Sequence, residues 1–260
     1  WRESAEKDGL RLRIGRWNIP GKPVAILVDF TPYFAQKDKI FAKFWETYKL
    51  DSLSGGWDYV EPALFGYASG IIIESFYNFY LSANDKIIGH FHEWMTGAGI
   101  LYLKENVPQI GTVFTTHATV LGRSISGNHL PLYRDLEKYH PFDFARNLGI
   151  TSKYSLEYNA AMEADCFTTV SDITANECKY LLSKTVDVVT PNGFSHVFHP
   201  SKSEFEIQRK TARNQIITVT EALLNQKIDD NALLVLTSGR YEFYNKGIDI
   251  FLDALGKLNN

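Results

Sequence analysis

The chain has 260 residues, of which 45% are hydrophobic and 14% aromatic, so it can bury a sizeable core in one or two domains. A formal net charge of -3 gives no electrostatic reason to expect nucleic acid as a partner, and no apolar run reaches the roughly 18 residues of a membrane helix. Cys166 and Cys178 are the only cysteines, and their spacing fits neither a metal site nor a disulfide framework, which favours the reducing cytoplasm.

Apolar residues follow strand and helix patterns in alternation along the chain. This alternation predicts an α/β fold with a parallel sheet built from βαβ units. In chain order, we first predict a buried strand at 23–30, helices at 38–49 and 59–82, a strand at 86–92, a helix at 95–105 and a strand at 110–116. A polar, glycine-rich loop at 122–131 is followed by a helix at 152–164, a strand at 166–170, a helix at 172–183 with Ser171 as its N-cap, a strand at 186–189 and a turn at 191–193. The chain continues with a polar helical connector at 202–227, a buried strand at 232–237 and a helix at 247–258.

The segment His90-Phe-His-Glu-Trp94 lies at the carboxyl end of a predicted strand, where parallel sheets place their ligand-binding loops. Strand alternation puts His90 and His92 on the same face. Three readings are open: a metal site with His117 as third ligand, a buried histidine pair, or a sugar site. In the last, neutral imidazoles bind hydroxyl groups and Trp94 packs on a sugar ring.

Two further segments follow predicted strands. In Thr115-Thr-His-Ala-Thr119, His117 lies where a strand opens into a loop, so it either lines a cleft or packs inside. Arg123 is either a ligand contact or half of a surface ion pair, and Asn192 either faces a cleft or completes a tight turn. A catalytic serine is not indicated, because the GxSxG pattern is missing.

The segment 238–246 carries Arg240 and Lys246 between a predicted strand and a predicted helix. That arrangement is how open α/β sheets hold phosphate, with arginine as a planar fork of donors and lysine as a point charge. Neither a P-loop pattern nor a GxGxxG fingerprint is present. On the residues alone, two solvated basic side chains on a loop are the favoured reading.

Three of these segments together resemble the glycogen synthases of the animal and fungal type: Gly239-Arg-Tyr-Glu-Phe-x-Asn-Lys-Gly247, His90-Phe-His-Glu-Trp94 and Thr115-Thr-His-Ala-Thr119. The resemblance extends from about Gly15 to Leu258. It implies a Rossmann-like parallel sheet of a GT-B glycosyltransferase, mostly its N-terminal domain. Residues 1–195 are then an acceptor-side domain, 196–230 a helical connector and 231–260 the start of a nucleotide-sugar domain.

The resemblance also implies a reaction, the retaining transfer of glucose from a nucleotide sugar to the non-reducing end of an α-1,4-glucan. UDP-glucose is favoured over ADP-glucose as the donor, with no cofactor and no metal. Arg240 and Lys246 then bind the donor diphosphate and His92 lines the glucose pocket. The remaining substrate-binding residues are His90, Trp94, His117, Arg123 and Asn192.

The chain begins at Trp1 and stops directly after a predicted helix, so we expect an internal piece of a longer protein that is inactive by itself. The family's glycine-rich loop and acidic catalytic motif are expected outside it. Two alternatives stay open: a catalytically silent glucan-binding or regulatory protein on the same fold, and another GT-B sugar-nucleotide transferase. Whether the protein is a homo-oligomer, and whether it is allosterically controlled, is also open.

Overall fold

The structure, a computed structural model, describes residues 1–194, 199–229 and 231–258. They belong to two compact units, Trp1–Pro191 and Asn192–Asn260. The first contains helices α1 (Arg2–Lys7), α2 (Lys37–Tyr48), α3 (Trp57–Tyr80), α4 (Gly97–Asn106), α5 (Val120–Gly127), α6 (Pro141–Asn147), α7 (Thr151–Glu163) and α8 (Asp172–Leu181), and strands β1 (Leu12–Arg16), β2 (Val24–Val28), β3 (Ile88–His92), β4 (Gly111–Thr116), β5 (Cys166–Thr169) and β6 (Val188–Val189); the second contains α9 (Phe205–Leu224) and α10 (Ile248–Leu258).

A four-stranded parallel sheet, in the order β3-β4-β5-β6, forms the centre of the first unit. Its register aligns Phe91 with Phe114 and Phe114 with Phe167. The last two are fully buried and stack with ring centroids 5.7 Å apart. These aromatic side chains face the core helices, so alternation turns the neighbouring polar residues to the other face. The predicted α/β class with a parallel sheet is confirmed.

Helices α3 and α4 pack closely beside this sheet because small residues line their contact. A Cβ at Gly99 would lie 2.8 Å from the carbonyl oxygen of Gly66 on α3. The close approach fixes the amino end of α4, which follows the His90–Trp94 segment through a short 3-10 turn at Trp94–Thr96. The turn after β3 is therefore held in place by the packing of α4 against α3.

The predicted strand at 23–30 exists as β2, but it lies outside the parallel sheet. It pairs antiparallel with β1, with Arg16 opposite Val24 and Leu12 opposite Val28. The prediction of a buried strand was wrong, since Val24 and Leu27 are 60% and 68% exposed. The physical reason is the short connection 17–23, which suits a hairpin, whereas parallel neighbours need a crossover.

The predicted loop at 122–131 was also wrong in its first half, because α5 continues to Gly127. The Thr119 side chain caps this helix by accepting the Gly122 N–H at 3.1 Å. A Cβ at Gly122 would lie 2.5 Å from that threonine oxygen and 2.6 Å from Glu177 Oε2. The glycine therefore serves close packing beneath the cap rather than an open turn. Ser171 caps α8 as predicted, accepting the Thr174 N–H at 3.2 Å.

In the second unit, the helices predicted at 202–227 and 247–258 are present as α9 and α10. The buried strand predicted at 232–237 is not, since Leu233 and Leu236 are 87% and 69% exposed and no strand pairs with this run among the described residues. An apolar run becomes a strand only where a neighbour completes its ladder. The predicted domain boundaries at 195/196 and 230/231 fall on or beside residues outside the described ranges.

Candidate functional site

Three histidines converge at the carboxyl ends of β3 and β4. His90 and His92 project from the same face of β3, with ring centroids 4.2 Å apart. His117, just beyond β4, places its Nε2 atom 3.2 Å from Nδ1 of His92. The sheet thus brings together three side chains that the sequence singled out separately. We call them the histidine cluster.

The histidine cluster is anchored from below by a pair of threonines. Nε2 of His90 lies 2.7 Å from Oγ1 of Thr115, and that oxygen lies 2.5 Å from Oγ1 of Thr168 on β5. Both threonines are buried, whereas the His92 side chain is exposed and His117 is half-buried. His90 is therefore hydrogen-bonded to the sheet, yet it is exposed like His92, so the cluster presents an accessible imidazole surface.

Glu93 links the end of β3 to the loop after β4. Its backbone has φ 64° and ψ 160°, a region in which residues other than glycine are strained. Oε1 accepts the His117 backbone N–H at 3.2 Å and lies 3.5 Å from Nη2 of Arg123. The predicted site residues His117 and Arg123 are thus connected through Glu93, which lies in the predicted segment but was not itself predicted as a site residue.

The electrostatics of the cluster favour neutral imidazole at His92. Burial lowers the pKa of His92, and the neighbouring rings of His90 and His117 lower it further. Burial raises the pKa of Glu93, although Arg123 and the His117 N–H act in the opposite direction. A neutral imidazole offers one donor and one acceptor, which suits recognition of a hydroxyl group.

Two buried acids, Glu157 on α7 and Glu177 on α8, lie directly behind the cluster. Their side chains accept hydrogen bonds from Thr116 and Thr119, on either side of His117. Sequence reasoning missed both residues. A usable signal existed for Glu157, which shares the apolar face of α7 with Tyr154 and Ala161 at helical spacing. An acid on an apolar helix face requires a buried partner.

Trp94 is a packing residue in this structure. Its ring lies nearly parallel to that of Tyr59, at an interplanar angle of 7° and a centroid distance of 6.2 Å. The Lys153 ammonium group lies 5.7 Å from the same ring. Trp94 contacts both large hydrophobic clusters of the first unit. Its predicted contact with a sugar stays a prediction.

The remaining predicted site residues belong to the second unit. Arg240 is 69% exposed, with Nη2 3.0 Å from Oε1 of Glu242. The Lys246 N–H donates to the Glu242 carbonyl at 2.9 Å, and a Cβ at Gly239 would lie 3.7 Å from the lysine stem. The loop therefore brings Arg240 and Lys246 together around Glu242, and we call it the basic loop. Asn192 is exposed.

Within residues 1–194, 199–229 and 231–258, no three histidine, cysteine, aspartate or glutamate side chains are arranged to hold a metal ion. The three histidines are instead engaged with one another and with Thr115. Across the same ranges, no helix combines the length and the apolar character that crossing a membrane requires.

A family model described as glycogen synthase matches residues 2–260. The chain belongs to the glycogen synthase family. The resemblance seen in the sequence is thereby confirmed, and the histidine cluster and the basic loop both lie inside the matched region.

Individual members of the family match almost the entire chain. It is 32% identical to the glycogen [starch] synthase of Dictyostelium discoideum over 258 residues, which are 98% of this chain and 29% of that protein. Identity to the Caenorhabditis elegans glycogen [starch] synthase is also 32%, over 98% of this chain and 38% of that protein. Identity to the glycogen [starch] synthase isoform 2 of Saccharomyces cerevisiae is 31%, and the match covers 99% of this chain and 37% of that protein. The chain therefore spans about a third of the length of these relatives.

Proposed function

We propose that this protein is a retaining glucosyltransferase of the GT-B type that extends an α-1,4-glucan from a nucleotide sugar, with UDP-glucose as the favoured donor. The observation that carries the proposal is the histidine cluster. Three imidazoles meet at the carboxyl ends of parallel strands, where α/β sheets bind ligands, in a chain that matches the glycogen synthase family over residues 2–260.

In this proposal the first unit recognises sugar hydroxyl groups. His92, neutral because its pKa is lowered, donates or accepts one hydrogen bond to the transferred glucose. His90 supports that ring from below, while His117 and Arg123 contact the acceptor side. Asn192 and Trp94 are the remaining substrate contacts in this assignment.

Arg240 and Lys246 would stabilise the charge that develops on the departing diphosphate. The bond from the anomeric carbon to the phosphate oxygen breaks as a bond to the acceptor 4-hydroxyl oxygen forms on the same face. The departing phosphate takes the hydroxyl proton. Fixed cations that meet developing charge are commonly the largest contributors to such a rate enhancement. The exposed Arg240 guanidinium is available for this role once it exchanges Glu242 for phosphate.

The proposed partners are a nucleotide-sugar donor and an α-1,4-glucan acceptor, and the proposed compartment is the cytoplasm. Both cysteines are unpaired, Cys178 being buried, which fits a reducing environment. A catalytically silent glucan-binding protein is the main alternative. Retention of two adjacent cations argues against it, because glucan binding alone has no use for a diphosphate site.

The decisive experiment measures glucose incorporation into glycogen by the full-length gene product, with UDP-glucose and ADP-glucose in parallel. Incorporation from one donor establishes the activity and identifies that donor. Folded protein that binds glycogen but incorporates nothing from either donor would favour the binding-protein alternative.

A histidine variant tests the assignment of the site itself. His92→Ala should lower kcat/KM by about tenfold or more, the value of one hydrogen bond to substrate. The matched control is His140→Ala, because His140 is exposed and lies outside the cluster, at the start of α6. Equal activity of the two variants would remove His92 from the site.

A further inference from the structure

The loop that carries His117 is tied down at both of its ends by one buried side chain. Oε1 of Glu157 accepts the Thr116 hydroxyl at 2.8 Å, and Oε2 accepts the Val120 backbone N–H at 2.8 Å. Glu157 and Thr116 are both 0% exposed. The carboxyl group therefore spans the loop from the residue before His117 to the first residue of α5.

A second buried acid supports the same loop from α8. Oε2 of Glu177 accepts the Thr119 hydroxyl at 2.8 Å, and its Oε1 accepts the Tyr133 hydroxyl at 2.9 Å. Thr119 in turn accepts the Gly122 N–H, so the start of α5 is secured as well. Every described contact of the two acids with this loop flanks His117, and neither acid touches an imidazole ring.

We propose that Glu157 is a positioning residue that holds the 116–120 loop so that His117 stays against His92. The proposal rests on the proposed function for its effect on turnover, but the position of the His117 ring can be measured without turnover. Glu157 is assigned no contact with substrate. Its effect passes through Thr116 and Val120 to the ring of His117.

The chemistry of the two donors explains why a carboxyl group serves here. The hydroxyl of Thr116 and the N–H of Val120 need two acceptors about one carboxyl width apart, which an ionised Glu157 supplies. A protonated Glu157 serves equally, because its carbonyl accepts the N–H while its O–H donates to Thr116. The threonine hydrogen then turns to the Ala118 carbonyl, 3.3 Å away. A glutamine reproduces this second pattern, whereas alanine leaves both groups unpaired.

A matched control exists at the opposite end of the same strand. Oδ2 of Asp165 accepts the Thr112 N–H at 2.8 Å and the Thr112 hydroxyl at 2.9 Å. Thr112 is also buried, at 1% exposure. Asp165 thus accepts one N–H and one hydroxyl at the amino end of β4, away from the histidines, although its side chain is 49% exposed and also pairs with Lys104. A role of Glu157 in stability alone predicts that neither acid affects kcat.

The test compares Glu157→Ala, Glu157→Gln and Asp165→Ala in the full-length enzyme, by kcat, donor KM and Tm. Glu157→Ala should lower kcat by roughly 10- to 100-fold, as expected when a site residue moves by about an ångström. Glu157→Gln should restore kcat to within about twofold of wild type. Asp165→Ala should lower Tm and leave kcat unchanged. Equal kcat in the two alanine variants would reject the effect of Glu157 on turnover.

A second readout is independent of catalysis. In protein with ¹³C-labelled histidine, the ring signals of His92 report its titration; burial lowers the His92 pKa most, and the neighbouring His90 and His117 lower it further. Glu157→Ala should raise the pKa of His92 towards the ordinary histidine value, because the His117 ring is no longer held beside it. Asp165→Ala should leave the His92 pKa unchanged. An unchanged His92 titration in Glu157→Ala overturns the proposal whatever the activity. A shifted titration with full kcat keeps the positioning and rejects the role of His117 in turnover.

Should Glu157→Ala fail to fold, Thr116→Val and Thr112→Val provide the same comparison with less disruption. Each removes one hydroxyl donor from one end of β4 at nearly constant volume. Thr116→Val should shift the His92 titration and lower kcat, and Thr112→Val should do neither. An equal His92 titration in the Thr116→Val and Thr112→Val variants would overturn the proposal.

Discussion

The histidine cluster and the basic loop are both proposed to bind substrate, yet they are held in opposite ways. The cluster sits on a sheet, and its threonine and glutamate supports are buried. The basic loop has exposed cations, and its described contacts are short-range ones around Glu242. Imidazoles that are fixed in advance bind a ligand with little loss of conformational entropy, whereas exposed cations on a loop must be ordered by the ligand. The contrast suggests that the cluster selects a shape and the basic loop supplies charge.

The largest expected effect tests the rigid support of the cluster. Phe114→Ala should lower the free energy of unfolding by about 3–5 kcal/mol, because the side chain is fully buried in the sheet layer beneath the histidines. Urea denaturation followed by circular dichroism measures it. The control is Phe79→Ala on α3, where the ring is 50% exposed and a much smaller loss is expected. Similar losses in both would mean that the cluster has no rigid base.

The next effect tests the basic loop. Arg240→Ala should lower kcat/KM of the full-length enzyme by about 10²–10³, because the negative charge that develops on the leaving diphosphate loses a hydrogen-bond donor. The Tm should stay unchanged. Arg209→Ala is the matched control, since Arg209 is 70% exposed and makes a comparable ion pair with Glu206. Unchanged turnover in Arg240→Ala would reject the phosphate assignment.

A pH experiment sharpens the comparison from the cluster side. Burial raises the pKa of Glu157 to about 8 despite hydrogen bonds from Val120 and Thr116, and the nearby Glu93 and Glu177 raise it further. Protonated Glu157 therefore contributes its full stabilisation of the folded state below the pKa of an unfolded glutamate, about 4.3. That stabilisation is lost as the pH rises through the folded-state pKa of about 8. Wild type should lose stability between pH 5 and pH 8 as Glu157 ionises, whereas the Glu157→Gln variant has no carboxyl group to ionise there. The free energy of unfolding of the variant, relative to wild type, should therefore rise by roughly 1–3 kcal/mol over this range. Tm at both pH values measures this.

Asp165→Asn is the control for that experiment. Burial alone would raise the pKa of Asp165, but hydrogen bonds from Lys104 and Thr112 outweigh it and lower the pKa below 3.8. The stability that Asp165 contributes is therefore present above its unfolded pKa and is lost only as pH falls through the lower folded value. Between pH 5 and pH 8 the Asn variant should parallel wild type. A parallel course for Glu157→Gln as well would show that Glu157 is already ionised at pH 5.

The smallest expected effect concerns the rim of the cluster. Arg123 is 53% exposed and lies 3.5 Å from Glu93, so Arg123→Ala should change the free energy of unfolding by under about 1 kcal/mol. If Arg123 contacts substrate, KM should rise several-fold while Tm stays the same. Arg146→Ala is the control, because Arg146 pairs with Asp143 at the same 3.5 Å distance. Equal KM values would leave Arg123 as a surface ion pair.

Much of the first unit was predictable because its signals are local. Periodicity located β3, β4 and β5 and the helices α4 and α7 between them, and alternation placed His90 and His92 on one face. The hairpin position of β2 was not predictable from its apolar run, because burial depends on which neighbour a strand finds. For the same reason, the run 232–237 has a strand pattern without a strand.

The supports of the site were harder to predict than the site itself. His117 is flagged by its own motif, but Glu157 acts on it through residues far away in sequence, by way of Thr116 and Val120. Such pairings exist only once α7 is packed against the sheet. Glu93 is adjacent to the histidines, yet its strained backbone became visible only in three dimensions. Periodicity finds side chains that share a face, and it cannot find partners across the core.

The register of β3 against β4 limits which changes of sequence β3 can accommodate. His90, Phe91 and His92 alternate between the open face and the core, opposite Val113, Phe114 and Thr115. Loss or gain of one residue in β3 would turn a phenylalanine to the site and both histidines to the core at once. A substitution in β3 therefore alters one face of the strand, whereas insertion of a single residue alters both faces at once.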